Sequence, residues 1–336
     1  MTIWLPKGYT HRPATADDAD QATSLYNDRA ESILGRRPNT SEQTVRMWEH
    51  PKFDLSTDSR LVFAPDGQLI GYAQVRDVKD PPVDVFGWQC VHPTLDDAKW
   101  LWNDLLSWME LEARRVISKA PEDARIVLVN GTSEQDLCTQ NHLESHGFDH
   151  SRTFHRMRID FSKPMSEISP PEGIRFRNVV PGKDDSALVT AYQEAFANHY
   201  GILEQPFEVE LQEWQDLMKE DRFDLSLWFL AIDKTEDNAI VGLCVCHEGA
   251  RGDSTRGEIN DVGVLPAWRR RGIGQAMLSL AFSKLASRGV KGALLTVDTG
   301  NKTGAPALYE RVGMQSVQAN HTYVKELRPG INLVPQ

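Results

Sequence analysis

The fold is decided by Val264-Leu265-Pro266-Ala267-Trp268-Arg269-Arg270-Arg271-Gly272-Ile273-Gly274-Gln275, a stretch rich in arginine and glycine. Upstream, residues 258–264 form a short stretch bounded by turn residues, as a buried or half-buried strand would be. Downstream, apolar residues recur from Ile273 to Leu285 at the spacing of one helix face. The sequence therefore predicts a strand, a tight turn and an amphipathic helix, in this order.

This turn has the composition of a phosphate-binding loop. Its glycines allow a tight turn and a close approach of the backbone to a ligand. The first turn of a helix exposes unpaired N–H groups and the positive end of the helix dipole, and both favour an anion. The three arginines at 269–271 add charged donors. No Gly-Lys-Ser/Thr follows and only one Gly-x-Gly is present, so the loop is neither a Walker A loop nor a dinucleotide fingerprint. We predict a pyrophosphate-binding loop; the alternative is a basic, solvated turn before an ordinary helix.

Two motifs carry a resemblance to a known family. Residues 269–274 resemble the Q/R-x-x-G-x-G/A signature of the GNAT superfamily of acyl-CoA-dependent N-acyltransferases. Residues 301–314 resemble its second hallmark, an Asn, then Ala-x-x-Leu-Tyr, then x-x-x-Gly-Phe, with Met314 in place of the aromatic residue. The resemblance implies an N-acetyltransferase that uses acetyl-CoA as cosubstrate, without a metal. The cofactor-binding residues that we predict are Val262, Gly263, Val264, Arg269, Arg270, Arg271, Gly272, Ile273, Gly274, Gln275 and Asn301.

Length and composition set the outer limits. The chain has 336 residues, which is comfortable for two domains. Its formal charge of −11 argues against sequence-independent nucleic-acid binding, which needs a basic face. Four scattered cysteines do not make a disulfide framework. Residues 1–8 lack the features of a signal peptide, and no run reaches the ~20 apolar residues of a membrane span. We therefore expect a cytoplasmic protein with no nucleic-acid and no membrane partner.

The first half of the chain repeats the second in outline. Equivalent strand and turn positions recur at nearly constant spacing, for example Gly71 and Gly242 at 171 residues and Cys90 and Gly263 at 173 residues. We predict an α/β (α+β) protein of two tandem GNAT-like domains, each a mixed, mostly antiparallel sheet flanked by helices. The predicted boundaries are 1–160 for a degenerate domain, 161–173 for a linker and 174–336 for the domain that binds acetyl-CoA. This plan, with residues 196–201 and 223–231, resembles tandem GNAT proteins related to mycothiol synthase, which implies one working half.

The copies differ where chemistry would occur. After Pro93 the first half has no glycine or arginine, and Asp96 and Asp97 would repel a phosphate at the helix start. Leu143 stands where the second copy has Tyr309. We predict that the first half binds no cofactor and helps to shape the acceptor cleft.

Acetyl transfer to an amine needs a proton acceptor, a polarised thioester carbonyl and a donor for the departing thiolate. We predict Glu258 as the base, which the resemblance also implies, with Asp261 as the alternative. For the carbonyl, the resemblance implies that strand 258–264 separates from strand 293–297, so that the pantetheine arm meets main chain around Val262 and Val264. For the thiolate we predict Tyr309, whose phenol can donate a proton.

Other candidates are weaker. His142 and His146 have no evident third ligand, so a solvated pair is favoured over a metal site. His199 and His321 are candidates for the acceptor cleft, and residues 198–222 for its cover. No activated cysteine or serine is visible, so we predict direct attack by the amine of a small molecule or a peptide. The rival prediction is a CoA-binding sensor or scaffold without turnover. Either a monomer or a homodimer is compatible with the tandem copies.

Overall fold

The computed structural model describes residues 5–77, 79–162, 168–197, 199–202, 205–220, 223–235, 239–250, 252–301 and 303–334. The described chain forms two compact units. Unit 1 contains residues 1–153 and 320–333, and unit 2 contains residues 154–319 and 334–336. No helix among the described residues is long and apolar enough to cross a membrane.

The two halves of the chain contain helices and strands in a similar order. The first half contains β1 (Thr10–Arg12), α1 (Ala19–Leu34), α2 (Ser41–Trp48), α3 (Leu55–Asp58), β2 (Ser59–Phe63), β3 (Leu69–Arg76), β4 (Asp84–Val91), α4 (Lys99–Ala113), β5 (Ile126–Ser133), α5 (Leu137–Ser145) and β6 (Asp149–Asp160). The second half contains β7 (Ile174–Asn178), α6 (Asp185–Phe196), α7 (Phe207–Leu217), β8 (Trp228–Asp233), β9 (Ile240–Ala250), β10 (Asp253–Val264), α8 (Ile273–Ser287), β11 (Gly292–Asp298), α9 (Ala305–Arg311) and β12 (Gln315–Arg328). The mixed helix-and-strand plan with a mostly antiparallel sheet confirms the predicted fold class.

In unit 1 the strands are ordered β1-β2-β3-β4-β5-β12. The β4–β5 pair is parallel and the other pairs are antiparallel. Helix α4 packs on one face of this sheet, where Trp102, Leu105 and Met109 are buried. Helices α1 and α2 cover the other face, with Leu25 and Trp48 in a second core. Two apolar layers therefore enclose the sheet.

Unit 2 repeats this arrangement with the order β6-β11-β10-β9-β8-β7 and one parallel pair, β10–β11. Helix α8 covers one face with Met277 and Phe282, and helices α6 and α7 cover the other with Leu188 and Trp214. The sheet therefore has the same order and the same helix positions as in unit 1.

Each unit ends with a strand from the other half of the chain. Residues 154–160 of β6 pair with β11 in unit 2, and residues 320–328 of β12 pair with β5 in unit 1. The predicted domains were contiguous segments, whereas these units are not. A hydrophobic pattern predicts that a strand exists, but it does not say which neighbour the strand pairs with.

One ion pair marks the repeat directly. Arg12 of β1 binds Asp18 through both guanidinium nitrogens, at 2.6 Å each. In unit 2, Arg177 of β7 binds Asp184 in the same bidentate way. In each unit the arginine lies on the first strand and the aspartate just before the first long helix, α1 or α6. These two pairs give a reference for comparing other positions between the units.

Candidate active site

The site in unit 2 begins where two neighbouring strands separate. β10 and β11 pair in parallel only as far as Glu258 and Leu294, although both strands continue beyond that point. A register shift between Ile259 and Asp261 distorts β10 at the same place. A cavity of about 360 Å³ opens at the gap. Its main lining residues come from β10, the loop after it, the start of α8, the loop before α9, and the end of α6.

The loop after β10 contributes backbone N–H groups to this cavity. Arg270 and Gly272 both take left-handed backbone conformations, with φ of 65° and 83°, and helix α8 begins at Ile273. The first N–H groups of a helix have no acceptor within it, and none is recorded for Gly272, Ile273 or Gly274 among the described residues. A Cβ on Gly274 would lie 3.2 Å from Leu308 Cδ2, so this position is tightly packed as well. The loop therefore presents unpaired backbone N–H groups at the start of a helix, an arrangement that favours an anion.

The three arginines of this loop have different surroundings. Arg269 donates from Nε to the carbonyl of Val264 and from Nη2 to that of Ala195, both at 3.0 Å. Arg271 donates to the carbonyl of Ala267 at 3.1 Å, and its guanidinium carbon lies 4.5 Å from the Trp268 ring centroid. Arg270 is exposed and lines the cavity. Arg270 is therefore the arginine best placed to meet a ligand, while the other two hold the loop.

The open edge of β10 presents main-chain groups to the gap. Leu265 donates its N–H to the carbonyl of Val241 on β9, at 3.0 Å. Because main-chain groups alternate along a strand, the N–H groups of Val264 and Val262 point away from β9, towards the gap. Gly263 lies between them, and a Cβ there would be 2.8 Å from Phe196 Cε2. A glycine at 263 thus lets the Phe196 ring close one wall of the cavity.

Glu258, the base predicted from the sequence, lies beside the gap. Both of its carboxylate oxygens bind the guanidinium of Arg156 on β6, and both side chains are largely buried. Arg156 also donates to the hydroxyl of Thr296 at 3.2 Å, and Thr296 lines the cavity. Glu258 itself does not line the cavity. Its carboxylate is neutralised by an ion pair in this structure.

Asp261, the alternative base, lines the cavity. No hydrogen-bond or ion-pair partner of its carboxylate is found among the described residues. Burial raises the pKa of Asp261 to about 6, because the ionised form loses solvation that no partner replaces. A group with such a pKa is mostly ionised near pH 7 and can still accept a proton readily.

Tyr309 lies on α9, with its side chain buried and lining the same cavity. Burial raises the pKa of Tyr309 well above its usual value, and electrostatic interactions with Cys244 and Asp261 add to this shift. The phenol therefore stays protonated at neutral pH and can act as a donor. Helix α9 starts after Gly304, which has φ of 83°, and Pro306 occupies its first turn.

Asn301 holds a loop at the edge of the cavity. Its Oδ1 accepts from the N–H and the hydroxyl of Thr303, at 2.8 and 2.5 Å. Its Nδ2 lies 3.1 Å from Nε2 of His199. An amide NH2 only donates, so this imidazole nitrogen must accept, and burial lowers the pKa of His199, which keeps it neutral. Asn301 thus joins two loops that border the cavity.

The structure brings most of the predicted site residues together. All of the predicted cofactor-binding residues except Arg271 line the cavity, and so do Asp261 and Tyr309. Sequence reasoning missed Phe196 and Thr296 as lining residues and Arg156 as the partner of Glu258. A polar Thr296 inside the apolar strand 293–297 was a signal that could have been used. Within the predicted acceptor cover, residues 198, 203, 204, 221 and 222 lie outside the described residues.

The equivalent helix start in unit 1 has a different environment. The Asp96 carboxylate binds Arg29, which is buried and also binds Asp136. The carbonyl of Asp96 accepts from Trp102 Nε1 at 3.1 Å. A phosphate would compete with this carboxylate for Arg29. Leu143, at the position equivalent to Tyr309, is fully buried.

Unit 1 also fills the space between its parallel strands. β4 and β5 pair up to Phe86 and Val129. Beyond that point Asn130 Nδ2 donates to Gln89 Oε1 at 2.6 Å, and both side chains are buried. This hydrogen bond joins the two strands where unit 2 has an open gap.

The histidines at 142 and 146 show no metal-binding arrangement. His142 stacks on Trp102 with ring centroids 4.4 Å apart, and its Nε2 lies 3.2 Å from the carbonyl of Asp96. Within the described ranges, no group of three or more His, Cys, Asp or Glu side chains is placed to hold a metal ion.

The chain is similar in sequence and in structure to known acetyltransferases. Residues 189–314 match the Acetyltransferase (GNAT) family. A mycothiol acetyltransferase of Streptomyces scabiei is 34% identical over 322 residues, which are 94% of each chain. The crystal structure of a GCN5-related N-acetyltransferase from Sphaerobacter thermophilus has a TM-score of 0.84 and 31% identity, covering 98% of this chain and 99% of that one. A tandem GNAT protein from the clavulanic acid biosynthesis pathway has a TM-score of 0.70 over 96% of this chain and 100% of that one, and at 13% identity it shows the fold alone.

Proposed function

Because the chain belongs to the GNAT acetyltransferase family and is an N-acetyltransferase, we propose that unit 2 binds acetyl-CoA and transfers its acetyl group to a primary amine by direct attack. The observation that carries this proposal is the cavity of about 360 Å³, which is lined at once by a helix start, an open strand edge and Tyr309. The helix start can bind a pyrophosphate, the open strand edge can hydrogen-bond to the thioester arm, and Tyr309 can donate a proton to the leaving thiolate.

The pyrophosphate of acetyl-CoA would lie against the N-terminus of α8. The free N–H groups at Gly272–Gly274 and the exposed guanidinium of Arg270 supply donors and positive charge there. Arg269 and Arg271 stabilise the conformation of the loop, because their side chains donate hydrogen bonds to its backbone carbonyls. Asn301 borders the same cavity, and its role is to keep the loop before α9 in place.

The pantetheine arm would extend along the open edge of β10. The N–H groups of Val262 and Val264 face the gap, so they can pair with the amides of the arm as a neighbouring strand would. One of these N–H groups then lies near the thioester oxygen and stabilises the charge that develops on it during attack.

For the proton of the amine, the environment favours Asp261 over Glu258. Asp261 lines the cavity without a partner among the described residues and has a pKa of about 6. Glu258 is held by Arg156, so it would have to leave this ion pair or act through water. We propose Asp261 as the proton acceptor, and Glu258 as the residue that fixes Arg156 beside the acceptor.

The reaction then balances with this chain's own groups. The neutral amine nitrogen attacks the thioester carbon, and an amine proton passes to Asp261. The carbon–sulfur bond breaks, and Tyr309 donates its phenolic proton to the CoA thiolate. A cysteine intermediate is not favoured, because a hydrogen bond with Cys246 and burial raise the pKa of Cys244 far above neutral.

The acceptor is a small-molecule amine in this proposal. Relatives that align over nearly the whole chain are named mycothiol acetyltransferases, so their acceptor is the first compound to test. A peptide N-terminus is the second. The carboxylate of Asp261 would attract an ammonium group, which loses its first proton to solvent before the neutral amine attacks, and this suits a cationic acceptor of either kind.

The first experiment measures CoA release over a panel of amines. We expect turnover with wild type and a loss of turnover in Asp261→Asn and Tyr309→Phe, with acetyl-CoA binding retained in both. Binding of acetyl-CoA without CoA release for any amine would refute catalysis at this site.

The second experiment counts the acetyl-CoA sites by calorimetry. We expect one site in wild type, none in the double variant Arg271→Glu, Gly272→Asp, and one in the matched unit 1 variant Asp97→Lys. Asp97 is exposed and lies at the equivalent helix start, so it is a suitable control. Two sites in wild type would show that unit 1 also binds the cofactor.

A further inference from the structure

The repeated Arg–Asp ion pair allows unit 1 to be compared with unit 2 position by position. Arg12 pairs in register with Leu61, and Arg177 pairs with Leu230. One residue earlier on the first strand, His11 in unit 1 is therefore equivalent to Phe176 in unit 2. By the same register, the residue before Leu61 is equivalent to the residue before Leu230.

That second comparison sets Arg60 against Phe229. In unit 2, Phe229 is buried and Phe176 is partly buried, and both belong to the apolar core under α8. In unit 1 the two equivalent positions hold His11 and Arg60 instead. The same fold is thus built with two aromatic side chains in one copy and with two cationic or titratable ones in the other.

Arg60 carries its charge into the interior. It is 8% exposed, and it binds the fully buried Asp104 through Nε and Nη2, both at 2.8 Å. Removing an ion pair from water costs solvation energy, and a well-packed apolar pair in its place is often equally or more stable. Since unit 2 forms this region with Phe229, the fold itself does not require the ion pair.

A separate cavity of about 260 Å³ lies beside these residues, between the β1–β2 edge and the C-terminal part of α4. Its charged and titratable lining residues are His11, Arg12, Arg60, Glu112 and Arg115. Arg12 is paired with Asp18, and Arg115 is paired with Glu112. In contrast, no acceptor for Arg60 Nη1 and no hydrogen bond of the His11 ring is found among the described residues.

We propose that this cavity of unit 1 binds a small oxyanion, that is, a carboxylate or phosphate group of a small molecule. Arg60 would donate from Nη1 and His11 from its ring, while Arg115 stays paired with Glu112 at the rim. A guanidinium fixed by a buried partner is pre-organised to bind such an oxyanion, because its orientation is already determined. The site shares no residue with the acetyl-CoA cavity of unit 2.

His11 offers a direct reporter of occupancy. Partial desolvation of the ring and the charge of Arg60 lower the pKa of His11 in the free protein, while Asp104 opposes this effect. A bound anion next to the ring favours the imidazolium form, so binding should move the His11 titration midpoint upward.

The experiment is an NMR titration of the histidine ring protons in the full chain, with inorganic phosphate in one arm and succinate in the other. The His11 signal is assigned by its loss in His11→Phe, which copies the residue of unit 2. A second variant, Arg60→Phe with Asp104→Leu, removes the buried ion pair as a whole, so that neither charge is left unpaired. Acetyl-CoA binding by calorimetry shows whether unit 2 is intact in each variant.

We expect a saturable upward shift of the His11 midpoint in wild type with at least one of the two anions, and the arm that saturates identifies the ligand class. The same anion should raise the melting temperature of wild type, and this rise should be lost in both variants. Absence of a saturable shift with both anions would overturn the proposal. An equal rise of the melting temperature in wild type and in both variants would overturn it as well.

Discussion

Asp261→Asn tests the proposed proton acceptor and the reason for its unusual pKa in one variant. The side chain lines the cavity, has no hydrogen-bond partner among the described residues, and has a pKa of about 6, whereas an ordinary aspartate has a pKa of 3.8. Asparagine has nearly the same shape but cannot accept the proton. The variant therefore removes the base while it leaves the cavity in place.

The expected effect on stability follows from the pKa. The difference between 6 and 3.8 is about 2 pH units, and each unit corresponds to ~1.36 kcal/mol, so ionised Asp261 destabilises the fold by roughly 3 kcal/mol. Because the folded pKa is raised, the folded state binds more protons than the unfolded state between these two pH values. The free energy of unfolding therefore falls as pH rises through this window and stays low above it. Asp261→Asn should be more stable than wild type at pH 8 and gain little at pH 4.

The expected effect on catalysis is opposite. In wild type, kcat/KM should fall as pH drops below about 6, because Asp261 becomes protonated. In Asp261→Asn this fall should disappear, and kcat should drop by about 10²- to 10⁴-fold, the usual contribution of a general base. An enzyme that becomes more stable while it loses activity is the signature of a destabilising functional group.

The assay measures CoA release between pH 5 and 9 and urea unfolding at both ends of that range, for wild type, Asp261→Asn and Glu258→Gln. Glu258→Gln is the matched control, because it neutralises the second candidate base on β10 and leaves an amide beside Arg156. If Asp261→Asn keeps both the rate and the acidic limb while Glu258→Gln loses them, the base is Glu258. If Asp261→Asn is no more stable at pH 8, burial does not set this pKa.

Three further variants test other parts of the structure. Tyr309→Phe should lower kcat by about 10²-fold with little change in acetyl-CoA affinity, as measured by steady-state kinetics and calorimetry, since the buried ring remains; a large loss of affinity with unchanged kcat would exclude the role of acid. Gly274→Val should abolish acetyl-CoA binding in calorimetry and leave the circular dichroism spectrum unchanged. The reason is the tight packing at this position, where even a Cβ would lie 3.2 Å from a leucine side chain. Normal binding by this variant would show that the pyrophosphate binds elsewhere. Arg29→Met should lower the free energy of unfolding by about 3 kcal/mol in urea, because it leaves the buried Asp136 without its cation; a change below about 1 kcal/mol would mean that this ion pair contributes little net stability.

The parts of the fold that could be predicted from the sequence are those that depend on local patterns. The loop at 264–275, the helix after it and the tyrosine in α9 follow from glycine spacing and helical periodicity. The GNAT membership that these motifs indicated is confirmed by the family match and by the relatives of similar length. The duplication was likewise visible, because the strand and turn signals recur at a nearly constant spacing.

The parts that could not be predicted depend on which strands become neighbours. Arg156 reaches Glu258 only because residues 154–160 of β6 pair with β11, more than 130 residues away in sequence. The sequence pattern of β6 does not predict that register, so the ion pair that neutralises Glu258 could not be predicted from the sequence. The difference between Glu258 and Asp261 has the same origin, because both are carboxylates on one strand and only their surroundings distinguish them.

Unit 1 differs from unit 2 in more than the absence of the predicted cofactor-binding residues. At the helix start, Asp96 and its partner Arg29 occupy the position where unit 2 exposes glycine and arginine, and the Gln89–Asn130 bond closes the gap between the parallel strands. Mere loss of a cofactor site would leave such positions free to become apolar, as most of a core is. Instead, unit 1 contains buried polar groups here and again at Arg60, where unit 2 has phenylalanine. Buried polar groups cost solvation energy, and the oxyanion site proposed for unit 1 would give the buried Arg60 a ligand that offsets part of this cost.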